Sequence, residues 1–266
     1  MRFCTALAAL MGLAAVVLDA APIAAETITF EVAEQSSDSI TLTAELTRPA
    51  GDGLLPAVVM LHGCNGIWRP WGDNWSERLV RWGYVALQVD SFGPRGLPDG
   101  VCNSPLTVGA RARAADAHAA KAYLAGLPYV DPGRIAVIGM SHGGWAALSS
   151  AQNTYLHDTL RAEPFKAAVA LYPHCEPQLY RLDAPLLILI GEVDDWTFSF
   201  RCEGMELIGP TRHAVTLKVY PDATHAFDVD LPDQEYLGHV MKFHAAASQD
   251  SVTRVQAFLA KHLGGG

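Results

Sequence analysis

The stretch that decides the interpretation of this chain reads Arg134-Ile-Ala-Val-Ile-Gly-Met-Ser-His-Gly-Gly144. Its apolar run predicts a short buried strand that ends at Gly139, and a helix-like segment follows. Between the two lies a Gly-x-Ser-x-Gly pattern centred on Ser141, in the strand–turn–helix context of a nucleophile elbow. The flanking glycines permit a tight turn, which directs the serine hydroxyl to a helix N-terminus, where developing negative charge is favoured. The alternative is an ordinary Gly/Ser turn.

Composition and the N-terminal segment narrow the class of protein. The 266 residues are 50% hydrophobic and 18% charged, which suits one large α/β domain and argues against disorder. The formal net charge is −9 and no Lys/Arg block occurs, so nucleic acid is not an expected partner. Arg2, the apolar run 6–18 and the small residues ending at Ala25 predict a cleaved secretory signal peptide over residues 1–25.

The expected mature chain is a single domain over residues 26–266, secreted or periplasmic, with no stable membrane span after cleavage. An uncleaved anchor is the alternative, although the apolar run is shorter than the roughly 20 residues that a membrane span needs. The sequence carries no prediction of oligomeric state.

Apolar runs alternate with helix-like segments along this chain. Two alternating segments before residue 49 predict strands, and buried strands are predicted at 57–61, 83–90, 135–138, 167–172, 186–190 and 215–220. Helices are predicted at 75–82, capped by Asn74, and at 111–127, 145–153 and 252–262. This alternation predicts the α/β class, with a mostly parallel central sheet flanked by helices on both faces.

A nucleophilic serine needs a base, and the base needs an orienting acid. In sheets of this class, catalytic groups gather beyond the carboxyl ends of the strands. Ser141, Asp194 and His225 each follow a predicted strand, and they occur in the order Ser, Asp, His that α/β-hydrolases use. Asp195 is the main alternative acid, and His174 is the alternative base.

The oxyanion of a tetrahedral intermediate needs backbone N–H donors. One predicted donor is the N–H of His142, directly after the nucleophile. The other is the N–H of Cys64, in the loop after the strand 57–61. The His62 side chain is expected to pack within that loop.

Four cysteines remain after signal cleavage, and their even number in an exported chain suggests two disulfides, with three possible connectivities. We favour Cys64–Cys102 and Cys175–Cys202, because each bridge would fasten one loop above the sheet. No C-x-x-C or H-x-x-x-H spacing occurs, so no metal site is predicted. Acyl transfer through a serine requires no cofactor either.

Five segments together resemble the dienelactone hydrolase family of α/β-hydrolases over roughly residues 40–262. They are His62-Gly-Cys-Asn-Gly66, Asp90-Ser-Phe-Gly-Pro-Arg-Gly96, Gly139-Met-Ser-His-Gly-Gly144, Gly191-Glu-Val-Asp194 and His225-Ala-Phe227. The best-known members use a cysteine nucleophile and place a glutamate by the oxyanion loop. In this chain Ser141 takes the place of the cysteine, and His62-Gly63 occupies the place of the glutamate. These differences favour a serine-esterase variant.

The resemblance implies an α/β-hydrolase fold and a serine hydrolase that cleaves carboxylic esters or lactones of small molecules, and the predicted signal peptide makes it an exported one. The family uses arginines to hold a substrate carboxylate, which makes Arg95 a candidate, with a structural ion pair between this loop arginine and a surface acid as its alternative. Trp196 is a second candidate for substrate binding. The alternative functions are a peptidase or an acyltransferase on the same triad, and a non-catalytic binding module of the same fold.

Overall fold

The structure is a computed structural model that describes residues 25–33, 39–51, 53–152, 163–209 and 213–264. Its strands are β1 (Glu26–Ala33), β2 (Ser39–Thr47), β3 (Leu55–Leu61), β4 (Val85–Asp90), β5 (Val130–Met140), β6 (Ala168–Leu171), β7 (Gln178–Tyr180), β8 (Leu186–Gly191), β9 (Glu206–Ile208), β10 (Val215–Tyr220), β11 (Gln234–Tyr236) and β12 (His239–Met241). The helices are α1 (Arg69–Arg81), α2 (Ala110–Ala125), α3 (His142–Ser150), α4 (Ser199–Glu203) and α5 (Ala245–Leu263), with a 3₁₀ turn at Gly93–Arg95.

Eight strands form the central sheet in the order β1-β2-β4-β3-β5-β6-β8-β10. The pairs from β4 to β10 are parallel, while β1–β2 and β2–β4 are antiparallel. The carboxyl ends of β3, β5, β8 and β10 therefore meet at one edge of the sheet. In open sheets of this kind, ligand sites lie beyond that edge.

The central strands are buried over most of their length, which requires that both faces of the sheet be covered. Every residue of β6 and β8 is buried, as is every residue of β3 except Leu55. Helices cover the two faces, and this mostly parallel, helix-flanked sheet is the predicted α/β-hydrolase architecture.

Two helices begin six or more residues earlier than the sequence pattern predicts. The first helix begins at Arg69 rather than Trp75, with Pro70 in its first turn, where a missing N–H costs nothing. The capping role predicted for Asn74 is wrong, because this residue belongs to the second turn of the helix, where its side-chain amide donates to Pro70 O at 3.0 Å. The last helix begins at Ala245, capped by His244, rather than at Val252.

Almost all of the predicted signal peptide, residues 1–24, lies outside the described residues. Within the parts of the chain that the structure describes, no helix is long and apolar enough to cross a membrane.

Candidate active site

Ser141 occupies the sharp turn between β5 and α3. Its backbone has φ 52° and ψ −119°, a conformation that residues other than glycine rarely adopt. Such a conformation persists only where the surrounding structure enforces it. The flanking glycines are required by space, since a Cβ on Gly139 would lie 2.0 Å from Gly143 O. A Cβ on Gly143 would lie 2.1 Å from Leu61 O, at the end of β3. The turn therefore requires glycine at both flanking positions, because neither has room for a Cβ without rearrangement.

The three predicted triad residues lie in contact. His225 Nε2 is 2.9 Å from Ser141 Oγ, and His225 Nδ1 is 2.8 Å from Asp194 Oδ2. An ionised carboxylate only accepts, so Nδ1–H donates to Asp194 and Nε2 accepts from the serine hydroxyl. All three side chains are buried, with Ser141 7% exposed. This is a hydrogen-bonded relay that can remove the serine proton.

Asp194 is held in its ionised form by donors on both oxygens. Its Oδ1 accepts from the backbone N–H groups of Trp196 and Thr197 at 2.9 and 2.8 Å, and the Thr197 hydroxyl lies 2.8 Å from Oδ2. Burial acts to raise the pKa of Asp194, but the adjacent His225 and these donors outweigh it and lower the pKa. The acid therefore carries the charge that an orienting partner of an imidazole needs.

The alternative acid and base face other groups. Asp195 accepts from Val240 N at 3.2 Å and lies 3.5 Å from His239 Nδ1, so it fastens the β11–β12 hairpin. His174 packs its ring against Trp145, with 5.3 Å between centroids.

The loop after β3 lies directly against Ser141, the candidate nucleophile. A Cβ on Gly63 would be 3.7 Å from Ser141 Cβ, so the backbone of the predicted oxyanion loop lies beside the Ser141 side chain. Cys64 O accepts from Val101 N at 2.7 Å, and Cys64 is disulfide-bonded to Cys102. The loop is thus tied to the segment 100–102 by two bonds.

The second disulfide joins Cys175 to Cys202. It links the segment after β6 to α4, which follows the loop that carries Asp194. Both disulfides have the connectivity that the loop argument favoured.

The two candidate substrate-binding residues have different surroundings. Arg95 donates two hydrogen bonds to the carboxylate of Asp116, at 2.8 and 2.9 Å, and a third to Ser91 O. Arg95 therefore forms a structural ion pair, which was the alternative to its role in substrate binding. The acid, Asp116, is buried on α2 rather than at the surface. Trp196 has its ring centroid 5.1 Å from that of His225 and stacks on His239 at 4.5 Å, so it lies at the site.

The structure adds supporting residues that the sequence reasoning did not identify. Tyr172, at φ 38°, packs its ring against His225 at 4.8 Å, and its carbonyl oxygen lies 3.0 Å from Thr197 Oγ1. Its hydroxyl donates to the buried Asp228 at 2.8 Å, whose other oxygen accepts from Trp75 Nε1. The only sequence signal for Tyr172 is its place at the end of a strand beside the nucleophile strand.

No group of three or more His, Cys, Asp or Glu residues is placed to hold a metal ion within the described ranges. The arrangement of side chains suits proton transfer and nucleophilic attack by their own groups.

Comparison with known proteins agrees with this architecture. A protein from Bradyrhizobium sp. named "Probable 2-oxo-3-(5-oxofuran-2-ylidene)propanoate lactonase" is 25% identical over 91% of this chain and 98% of its own length. Among solved structures, m3DLH superposes with a TM-score of 0.68 at 19% identity, covering 90% of this chain and 99% of its own. A dienelactone hydrolase-like promiscuous phosphotriesterase from metagenomic libraries gives a TM-score of 0.65 at 17% identity, covering 91% and 100%.

The two structural matches lie below 25% identity and therefore speak for the fold alone. The sequence profile of the dienelactone hydrolase family matches residues 42–263, a span that includes Ser141, Asp194 and His225. This chain belongs to the dienelactone hydrolase family.

Proposed function

We propose that this protein is an exported serine hydrolase that cleaves carboxylic esters or lactones. The observation that carries the proposal is the unbroken relay from Ser141 Oγ through His225 to Asp194, with contacts of 2.9 and 2.8 Å. Membership of a hydrolase family and likeness to a named lactonase support the same reaction class.

In the proposed reaction, His225 Nε2 takes the hydroxyl proton as Ser141 Oγ attacks the carbonyl carbon. The negative charge moves to the carbonyl oxygen, which the backbone N–H groups of Cys64 and His142 stabilise. His225 then gives its proton to the departing alkoxide, and an acyl-serine remains. In a lactone, the alcohol stays attached to the same acyl chain.

Deacylation repeats these steps with water as nucleophile, and His225 acts again as base and then acid. Asp194 keeps its charge throughout, because its role is to hold the Nδ1–H tautomer and stabilise the imidazolium. The donors on both oxygens of Asp194 support that role.

The test is hydrolysis of short p-nitrophenyl esters and of simple lactones by the wild type and by Ser141→Ala. The expected result is turnover by the wild type and a fall in kcat of several orders of magnitude in the variant. Equal turnover by the two proteins would refute the mechanism. A folded wild type that cleaves neither ester nor lactone would favour a binding module.

Export is part of the proposal and rests on the predicted signal peptide together with the two disulfides, which persist in oxidising compartments. Mass spectrometry of the protein from a fractionated bacterial host tests it. A chain in the periplasm or medium that begins near Glu26 is expected, and a full-length chain in the cytoplasm would contradict export.

A further inference from the structure

A buried cation lies behind the predicted oxyanion hole. Arg113 of α2 is 0% exposed, and its guanidinium places Nη1 3.0 Å from His142 Nδ1 and Nη2 3.4 Å from His62 Nδ1. The same guanidinium lies 4.9 Å from the centre of the Phe92 ring, which also contacts both histidine rings. One side chain therefore touches the residue after the nucleophile and the start of the oxyanion loop.

The hydrogen-bond pattern fixes the state of His142. Arginine only donates, so Nδ1 of His142 must be the acceptor, and its Nε2–H donates to Pro105 O at 2.8 Å. Burial and the Arg113 charge lower the pKa of His142 to about 3, which keeps this ring neutral.

The state of His62 follows in the same way. Its Nε2 accepts from Ser91 N at 3.1 Å, so its Nδ1–H donates to Gly63 O at 2.7 Å. The 3.4 Å approach of Arg113 to that nitrogen is therefore a packing contact between a cation and a neutral ring. His62 is thereby pinned between β4 and the oxyanion loop.

Among the residues that the structure describes, no carboxylate forms an ion pair with Arg113, although a buried arginine usually has such a partner. Both oxygens of the nearby Asp116 accept from Arg95, and Arg113 Nε has no hydrogen-bond partner among the described residues. Burial lowers the pKa of Arg113 to about 9, so it is still protonated at neutral pH. A buried charge without a direct ion pair carries a large desolvation free energy. Such groups are found most often at functional sites.

We propose that Arg113 is a positioning residue of the oxyanion hole. It acts through His142, which carries one predicted donor N–H, and through His62, which stands two residues before the other donor at Cys64. This inference rests on the proposed function. A small displacement of either donor weakens stabilisation of the transition state more than it weakens substrate binding.

The first test is Arg113→Met assayed on the ester that the wild type cleaves best. We expect kcat to fall about 10- to 100-fold with KM changed less than about threefold. Affinity for a trifluoromethyl ketone, which forms a tetrahedral adduct with the serine, should fall in parallel with kcat/KM. The matched control is Lys121→Met, which removes a largely buried cation from the same helix away from the site.

A kcat for Arg113→Met equal to that of the control would overturn the inference, and so would a lowered kcat with unchanged affinity for the ketone. A wild type that cleaves no ester or lactone would instead count against the proposed function. The two failures are therefore distinguishable.

A double-mutant cycle keeps the inference testable if Arg113→Met does not fold. Arg113→Lys retains the charge but not the planar fork, and His142→Ala removes the acceptor ring while keeping the donor N–H. Arg113→Lys should lower kcat in the wild-type background and lower it by a smaller factor in His142→Ala, where only the contact with His62 remains. Equal effects in both backgrounds would overturn the proposal.

Discussion

Acid sensitivity of the fold is predicted to arise in large part from His142. This ring is buried, accepts from Arg113, and has its pKa lowered to about 3. Because the folded state disfavours its protonation, unfolding takes up one proton below the unfolded pKa of about 6.5. The stabilising contribution of the neutral ring is therefore complete above about pH 6.5 and is lost progressively as the pH falls toward 3.

The magnitude follows from these two pKa values. Between pH 7 and pH 5 the linkage relation gives a loss of about 2 kcal/mol in the free energy of unfolding from His142 alone. The pKa of His62 is also lowered well below its usual value, by burial and by the Arg113 charge, so His62 adds a slope of the same sign.

The comparison is wild type against His142→Asn, whose side-chain oxygen can still accept from Arg113 but does not titrate. Urea unfolding of the oxidised proteins, followed by fluorescence at pH 7, 6 and 5, gives the free energies. We expect the loss between pH 7 and pH 5 to be about 2 kcal/mol smaller in the variant. Parallel pH profiles for the two proteins would refute the reasoning.

Three further predictions concern residues that shape the site. Asp194→Asn should lower kcat about 10⁴-fold on esters, because the imidazole loses its tautomer-fixing acceptor, while Asp195→Asn should keep most of the activity. Replacing Cys64 and Cys102 by serine opens a 38-residue separation and should lower the free energy of unfolding by about 4 kcal/mol in non-reducing urea titrations. Gly143→Ala puts a Cβ 2.1 Å from a β3 carbonyl oxygen and should cost at least about 2 kcal/mol, read as a lower Tm.

Each of these has a contrary outcome. A larger loss of activity in the Asp195 variant than in the Asp194 variant would reverse the assignment of the acid. An unchanged unfolding midpoint without the Cys64–Cys102 bridge would mean that the loop is held by other contacts. A Gly143→Ala protein as stable as the wild type would show that the turn can relax around a methyl group.

The sequence predicted those parts of the site that depend on local pattern. Ser141 is identified by a turn that only small neighbours permit, and Asp194 and His225 are identified because parallel strands bring their carboxyl ends to one edge. The cysteine pairs follow from the same placement of loops above the sheet. Each of these inferences needs only the order of elements along the chain.

The parts that the sequence did not predict depend on partners distant along the chain. Arg95 pairs with Asp116, and Arg113 meets His62 and His142, although no local pattern marks these contacts. The sequence pattern does not predict the start of α1 at Arg69, because a proline at position 70 normally indicates the end of a helix. Only the structure shows that this proline lies in the first turn.

The most direct test of the central claim is covalent labelling of the folded protein by a fluorophosphonate probe, followed by peptide mapping. The relay of Ser141, His225 and Asp194 predicts one modified residue, Ser141, and strongly reduced labelling in His225→Ala. Absence of label on the folded wild type, or a label on any other residue that persists in Ser141→Ala, would contradict it.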